Sequence, residues 1–168
     1  MTLGKWRLRA AFLDRDGTIF ENQGFVNTVE DARCVPWVPG VMGVICRLEN
    51  LGYKPVIITN QGGVGRGFLT EETLGEITEV LALRMSSWTQ PPPTFYCPHD
   101  PDAGCACRKP KPGLILRAAE ELDLDISASI MIGDQQSDVD AGKAAGCRAS
   151  YLLGPERWAA FDLSRPAG

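Results

Sequence analysis

The chain has 168 residues, 44% of them hydrophobic and 23% charged, which is the composition of a soluble globular protein and the length of one ordinary domain. That balance excludes a disordered tail and a membrane-embedded protein, and a net charge of −4 leaves no basic footprint for a nucleic-acid partner. No segment approaches a membrane span, and Met1 to Ala11 lacks the apolar core and cleavage site of a secretory signal. The expectation is therefore a cytoplasmic, monomeric protein with one domain over residues 1–168, a core from about 8 to 153 and a tail over 154–168.

In chain order, Leu8 to Leu13 is an apolar run that ends on Asp14-Arg15-Asp16-Gly17-Thr18. Val41, Val44, Ile45, Leu48 and Leu51 follow helical spacing, with Gly52 as the stop just beyond. Pro55 to Thr59 is a second strand. Thr70 caps a second helix whose first turn carries Glu71 and Glu72 and whose apolar side is Leu74, Ile77, Leu81 and Met85. After the stiff Pro91-Pro92-Pro93, Thr94 to Cys97 reads as a third strand, Gly113 to Leu122 as a helix and Ile130 to Gly133 as a strand. Ser137 to Ala145 is a helix that Gly146 ends, and Ala149 to Leu153 is the last strand. Alternating strands and helices predict an α/β fold with a parallel sheet covered on both faces, whose ligands bind beyond the carboxyl ends of the strands. Asp14, Thr59-Asn60-Gln61, Cys97 and Gly133-Asp134 all fall at that edge.

Two carboxylates spaced as Asp14 and Asp16 can divide the work of phosphoryl transfer, the first as nucleophile and the second as proton donor and acceptor. A lone D-x-D-G reads equally well as a capped turn. Asp134, with Asp138 at a helix start four residues on, changes the weighting, because acids gathered at one sheet edge call for a hard divalent cation, here Mg²⁺ on Asp14 and Asp134. Thr59, Lys109 and Arg108 supply anion-binding groups. Gly62 to Gly67 lacks the Gly-Lys-Ser/Thr of a phosphate loop and reads either as a flexible turn or as a substrate loop through Arg66. Cys97-Pro98-His99 and Cys105-Ala106-Cys107 place four soft ligands within eleven residues (97–107), which predicts a closed, structural Cys₃His zinc site. Cys34, Cys46 and Cys147 read as packing residues. A phosphorylatable receiver-type signalling module uses a comparable aspartate, Thr and Lys set, and Asp16 argues against it by offering a group that would destroy the phosphorylated state.

Together these motifs resemble the haloacid-dehalogenase (HAD) superfamily of aspartate-nucleophile phosphatases, in its zinc-loop branch, which holds heptose-bisphosphate and histidinol-phosphate phosphatases. The resemblance covers Phe12 to about Leu153. It implies a three-layer, Rossmann-like fold with a central parallel sheet, a zinc loop and no separate cap domain. It implies Asp14 as nucleophile, Asp16 as acid/base, and Mg²⁺ on the Asp14 carboxylate, the Asp16 carbonyl and Asp134. Thr59 and Lys109 would hold the transferred phosphoryl group, while Asn60, Gln61, Arg66, Arg108 and the loop Glu21 to Val26 would face the rest of a small phosphoester. The implied reaction is phosphomonoester hydrolysis of a sugar phosphate, D-glycero-D-manno-heptose 1,7-bisphosphate at its 7-phosphate, with histidinol phosphate as the alternative substrate and polynucleotide 3′-phosphate a more distant one. Two departures sit near the substrate: the zinc loop is compact, and Gln135 stands where heptose enzymes frequently have a lysine.

Overall fold

The strand Arg9–Leu13 (β1) is the middle of a five-stranded sheet, and its residues alternate between two hydrophobic cores, one on each face. Ala11 and Leu13 join the first core; Ala10 and Phe12 join the second. Such a strand must be apolar on both sides, which is why the sequence shows a run rather than an alternation. In this computed structural model residues 7–22, 24, 26–87, 90–154 and 156–164 are described.

The other strands are Tyr53–Asn60 (β2), Thr94–Cys97 (β3), Ile130–Gly133 (β4) and Ala149–Leu152 (β5). All pair in parallel in the order β3-β2-β1-β4-β5, so β1 lies between β2 and β4 and the two halves of the chain meet beside it. The helices are Val29–Cys34 (α1), Val41–Asn50 (α2), Glu71–Met85 (α3), Gly113–Glu121 (α4) and Gln136–Ala145 (α5). Val44, Ile45 and Leu48 of α2 and Ile77, Leu81 and Met85 of α3 fill the first core, while Leu114, Ile115 and Ala118 of α4 and Ala141 of α5 fill the second. This is the expected three-layer architecture, and among the described residues no cap domain is added to it.

The predicted punctuation holds. Thr70 caps α3 by accepting from the Thr73 N–H, and Gly52 and Gly146 take the left-handed conformation just past α2 and α5. α1 is an addition that the apolar pattern does not reveal, because only Ala32 of its six residues is buried. Its signal is a capping box: the Thr28 hydroxyl accepts from the Asp31 N–H at 3.1 Å, and the Asp31 carboxylate accepts from the Thr28 N–H at 2.9 Å. Cys34, expected to be a packing residue, is instead exposed at the end of α1, with its thiol donating to the Glu30 carboxylate. The tail docks: Trp158 is buried against the first core, and Phe161 packs edge-on to both Trp158 and Tyr151. No helix among the described residues is long and apolar enough to cross a membrane.

Candidate active site

Asp14 is the first residue beyond β1, and its N–H still donates to the Ile132 carbonyl of β4 at 3.0 Å, so the sheet fixes its backbone. Its carboxylate is buried and lies 2.5 Å from Lys109 Nζ. That ammonium, buried as well, also meets Asp138 Oδ1 at 2.6 Å and donates to the Ile58 carbonyl at 2.8 Å. Asp14, Asp134 and Asp138 together bring their carboxylate oxygens within 4.8 Å of one another. Three acids face one ammonium, so the cluster carries an excess of about two negative charges, which suits a divalent cation. Burial, with Asp138 and Asp16 nearby, pushes the Asp14 carboxyl up to about 7 against the pull of Lys109. Burial works against the Lys109 ammonium, but Asp14 and Asp138 outweigh it and hold its pKa above the ordinary lysine value.

Two glycines make the cluster possible. A Cβ on Gly17, which has φ +88°, would stand 2.3 Å from Asp134 Oδ2, and one on Gly133 would stand 2.1 Å from Asp138 Oδ2. Asp134 is oriented by two donors, the Thr18 hydroxyl at 3.2 Å and Gln135 Nε2 at 3.1 Å. Asp138 has two jobs, since its other oxygen accepts from the Gln135 N–H at 3.0 Å and closes a capping box at the start of α5.

Asp16 points elsewhere. Arg15 forks onto it through Nε and Nη2, both at 2.9 Å, and Gln61 Nε2 lies 2.8 Å from both Asp16 Oδ2 and Thr59 Oγ1. Arg15, which the sequence motifs do not single out, is brought to the site by the fold. Its signal was a charge wedged between two acids at a buried strand end, where a guanidinium needs a partner. The Asn60 amide is spent on the Lys109 backbone, donating to its carbonyl at 3.2 Å and accepting from its N–H at 3.1 Å. A cleft beside Asp16 is lined by Arg15, Asn22, Asn60, Gln61, Arg66 and Arg108 among others, so the expected substrate-facing residues converge there. Within Glu21 to Val26, Gly24 and Val26 also line it, whereas Gln23 and Phe25 lie outside the described residues.

Pro101 and Arg108, which line that cleft, lie within and just after the loop that carries the second cluster. Cys97 ends β3, and Cys97, His99, Cys105 and Cys107 bring their ligand atoms within 4.8 Å of one another. Cys97 Sγ lies 3.6 Å from Cys105 Sγ and 3.3 Å from Cys107 Sγ, and His99 Nδ1 lies 3.2 Å from Cys107 Sγ. A tetrahedral ion with sulfur bonds of about 2.3 Å has edges of roughly 3.7 Å, so the donor set fits a closed zinc-type site. Burial raises the Cys105 thiol, yet donors that include the Arg108 N–H outweigh it and bring the pKa down to about 6. Burial and its own donation to Cys97 and Cys105 push Cys107 up to about 12. The loop docks on the glycine-rich loop: Arg66 pairs with Asp100 at 3.1 Å, the Gly65 N–H donates to the Pro98 carbonyl at 2.8 Å, and a Cβ on Gly65 would meet the Asp100 nitrogen at 2.3 Å. Gly62 to Gly67 is thus a docking loop rather than a free turn.

The chain is similar to known proteins. Residues 106–154 match the HAD-hydrolase-like family. The chain is 39% identical over 152 residues to the D-glycero-β-D-manno-heptose-1,7-bisphosphate 7-phosphatase of Photorhabdus laumondii, covering 86% of this chain and 79% of that one. It is 40% identical over 147 residues to the protein of the same name from Helicobacter pylori, covering 86% and 83%. Its fold superposes with a TM-score of 0.77 and 31% identity on a D,D-heptose 1,7-bisphosphate phosphatase from B. bronchiseptica solved with magnesium and phosphate, covering 95% of this chain and 90% of that one.

Proposed function

Because the chain belongs to the heptose-bisphosphate phosphatase family of HAD-like hydrolases, we propose that it is a phosphoric monoester hydrolase that removes the 7-phosphate of D-glycero-D-manno-heptose 1,7-bisphosphate through a phospho-Asp14 intermediate. The observation that carries this reading is the division of labour between the two acids. Asp14 is buried beside Lys109, Asp134 and Asp138, whereas Asp16, two residues on, is turned to Arg15 and Gln61.

An Asp14 carboxylate oxygen attacks phosphorus and the bond from phosphorus to the sugar oxygen breaks, while Asp16 gives its proton to that leaving oxygen. Water then attacks the acyl-phosphate, Asp16 takes its proton, and the bond from phosphorus to Asp14 breaks to release inorganic phosphate. Lys109 and Thr59 hold the phosphoryl oxygens, and Asn60, by clasping the Lys109 backbone, keeps the ammonium at the strand ends. Arg66 and Arg108, with Asn22 and Gln61, form the cleft for the rest of the sugar phosphate. Asp14, the Asp16 carbonyl and Asp134 would hold the divalent cation that this family implies, read as Mg²⁺, and it would supply positive charge to neutralise the acids and an incoming phosphate. The three-acid excess of charge and the magnesium in the B. bronchiseptica relative's structure support that identity. Zn²⁺ on Cys97, His99, Cys105 and Cys107 supplies only shape, since four protein ligands leave no open position.

The test is phosphate release from a sugar-phosphate panel with Mg²⁺, with heptose 1,7-bisphosphate and histidinol phosphate at equal concentration and the cleaved position read by ³¹P NMR. The heptose 7-phosphate should be cleaved fastest. Release from no member would sink the reaction, and faster turnover of histidinol phosphate would replace the substrate.

A further inference from the structure

The C-terminal segment reaches the acid-bearing edge of the sheet through a buried hydrogen bond. Trp158 is buried, and its indole N–H donates to the Thr18 carbonyl at 2.7 Å across 140 residues of sequence. Thr18 is completely buried and belongs to the turn that follows Asp16 and Gly17. Its hydroxyl donates to Asp134 Oδ1, and its neighbour Gly17 lies so close to Asp134 that a Cβ there would overlap Oδ2. Thr18 is thereby held from both sides, by the tail through its main chain and by the acid through its side chain.

We infer that Trp158 is a positioning residue for the cation-binding edge: through the Thr18 carbonyl it fixes the Gly17-Thr18 turn and so the orientation of the Asp134 carboxylate. The inference rests on the assignment of Asp134 as a metal ligand under Proposed function.

The physical case has three steps. A buried indole N–H needs an acceptor, and a buried carbonyl stripped of its donor bears most of its desolvation cost, so the pairing is not freely exchanged. The indole itself is well anchored. It is buried in the first core, and Phe161 packs on it edge-on at 5.3 Å between ring centres. Phe161 is in turn tied to α2, because its carbonyl accepts from Arg47 Nη2 at 3.3 Å. Finally, a hydrogen-bond donor on an acid that ligates a metal sets the direction in which that acid presents its lone pairs, and losing such orientation typically weakens the metal 10- to 100-fold, or about that. Trp158 acts one bond further out, so a smaller loss, about three- to ten-fold, is expected.

The experiment measures Mn²⁺ binding by electron paramagnetic resonance on the full chain, with Mg²⁺ as competitor and melting temperature recorded on the same samples. Trp158→Phe keeps an aromatic ring in the core and removes the donor, and the melting temperature registers the ring volume lost with it. It should weaken Mn²⁺ about three- to ten-fold, and in a Thr18→Val background the same change should have little further effect, because the link to Asp134 is already cut. An unchanged Mn²⁺ affinity in Trp158→Phe, whatever its melting temperature, would overturn the inference, as would full additivity with Thr18→Val. Asp134→Asn separates the two readings. If the unsubstituted protein binds Mn²⁺ and Asp134→Asn does not, the metal assignment stands and the outcome for Trp158 judges this inference alone. If Asp134→Asn binds as well as the unsubstituted protein, the assignment beneath it has failed.

Discussion

The acid cluster and the cysteine-histidine cluster stand at the same edge of one sheet and are built on opposite principles. Asp14 and Asp134 follow β1 and β4 directly and Asp138 lies in the first turn of α5, with Lys109 as an internal counter-ion paired to Asp14 and Asp138. Cys97, His99, Cys105 and Cys107 sit on a strand end and an irregular loop, and apart from backbone donors their ligand atoms have mainly one another. The first arrangement keeps its shape while charge comes and goes, as turnover requires. The second, in the function proposed above, would owe the spacing of its ligand atoms to the ion it holds. Rigid elements with a resident counter-charge suit chemistry, and a loop of soft ligands suits construction.

The sharpest way to break this comparison is to remove one member of each cluster. Asp14→Asn should lower phosphatase turnover by about 10⁴-fold or more, as losses of nucleophiles do, while leaving zinc content at one equivalent by elemental analysis. Cys107→Ser should do the reverse in kind. Its zinc content should fall below half an equivalent and its melting temperature by about 5–15 °C, the expected order for losing a few kcal/mol in a domain of this size. A Cys107→Ser protein with full zinc and unchanged melting would remove Cys107 from the ligand set, and one without zinc but with unchanged melting would show that the loop needs no ion to hold its form.

Much of this contrast was legible in the sequence because both clusters are local. The D-x-D-G and the Cys-x-His and Cys-x-Cys pairs announce themselves within a few residues, and β3 and β4 fall where the sequence places them, to the residue. What escaped was long-range or small. Arg15 reads as a solvent charge until the fold buries it against Asp16, and Trp158 reads as tail until its indole reaches Thr18. α1 escaped because one buried alanine makes no periodic pattern. Asp138 was read as either a helix acid or a site acid, and the fold makes it both, one oxygen for each.

Acidity distinguishes the clusters with a smaller effect. In magnesium-free, zinc-loaded protein the folded chain keeps a proton on Asp14 up to about 7, whereas the unfolded chain gives it up near 3.8. Between those values the folded state binds more protons at this group, so the Asp14 contribution to stability is fully present below about 4 and is lost as pH rises toward 7. The loss is up to about 4 kcal/mol, with each pKa unit counting about 1.4 kcal/mol. Urea unfolding from pH 5 to 8 should show the decline, and Asp14→Asn or millimolar Mg²⁺ should flatten it. The cysteine site runs the other way, because protons compete with the metal for thiolates and zinc should be lost toward acid.

The smallest predicted effect tests the seam between the two clusters, where Arg66 pairs with Asp100 of the cysteine loop. Both side chains are more than a third exposed, so the pair itself is worth about 0.2–1 kcal/mol, and neither Arg66→Ala nor Asp100→Asn should shift the melting temperature by more than about 3 °C. The backbone contact of Gly65 with Pro98 survives both changes and keeps the loops docked. Their kinetics should differ. Arg66 also lines the cleft with Arg108, so removing its charge should raise KM several-fold for a bisphosphate with kcat nearly kept, whereas Asp100→Asn leaves that charge in place and should raise KM little. Equal KM increases would mean that Arg66 serves the substrate only by holding the loop, and would move the boundary between the shape-giving and the reacting parts of the molecule into the cleft itself.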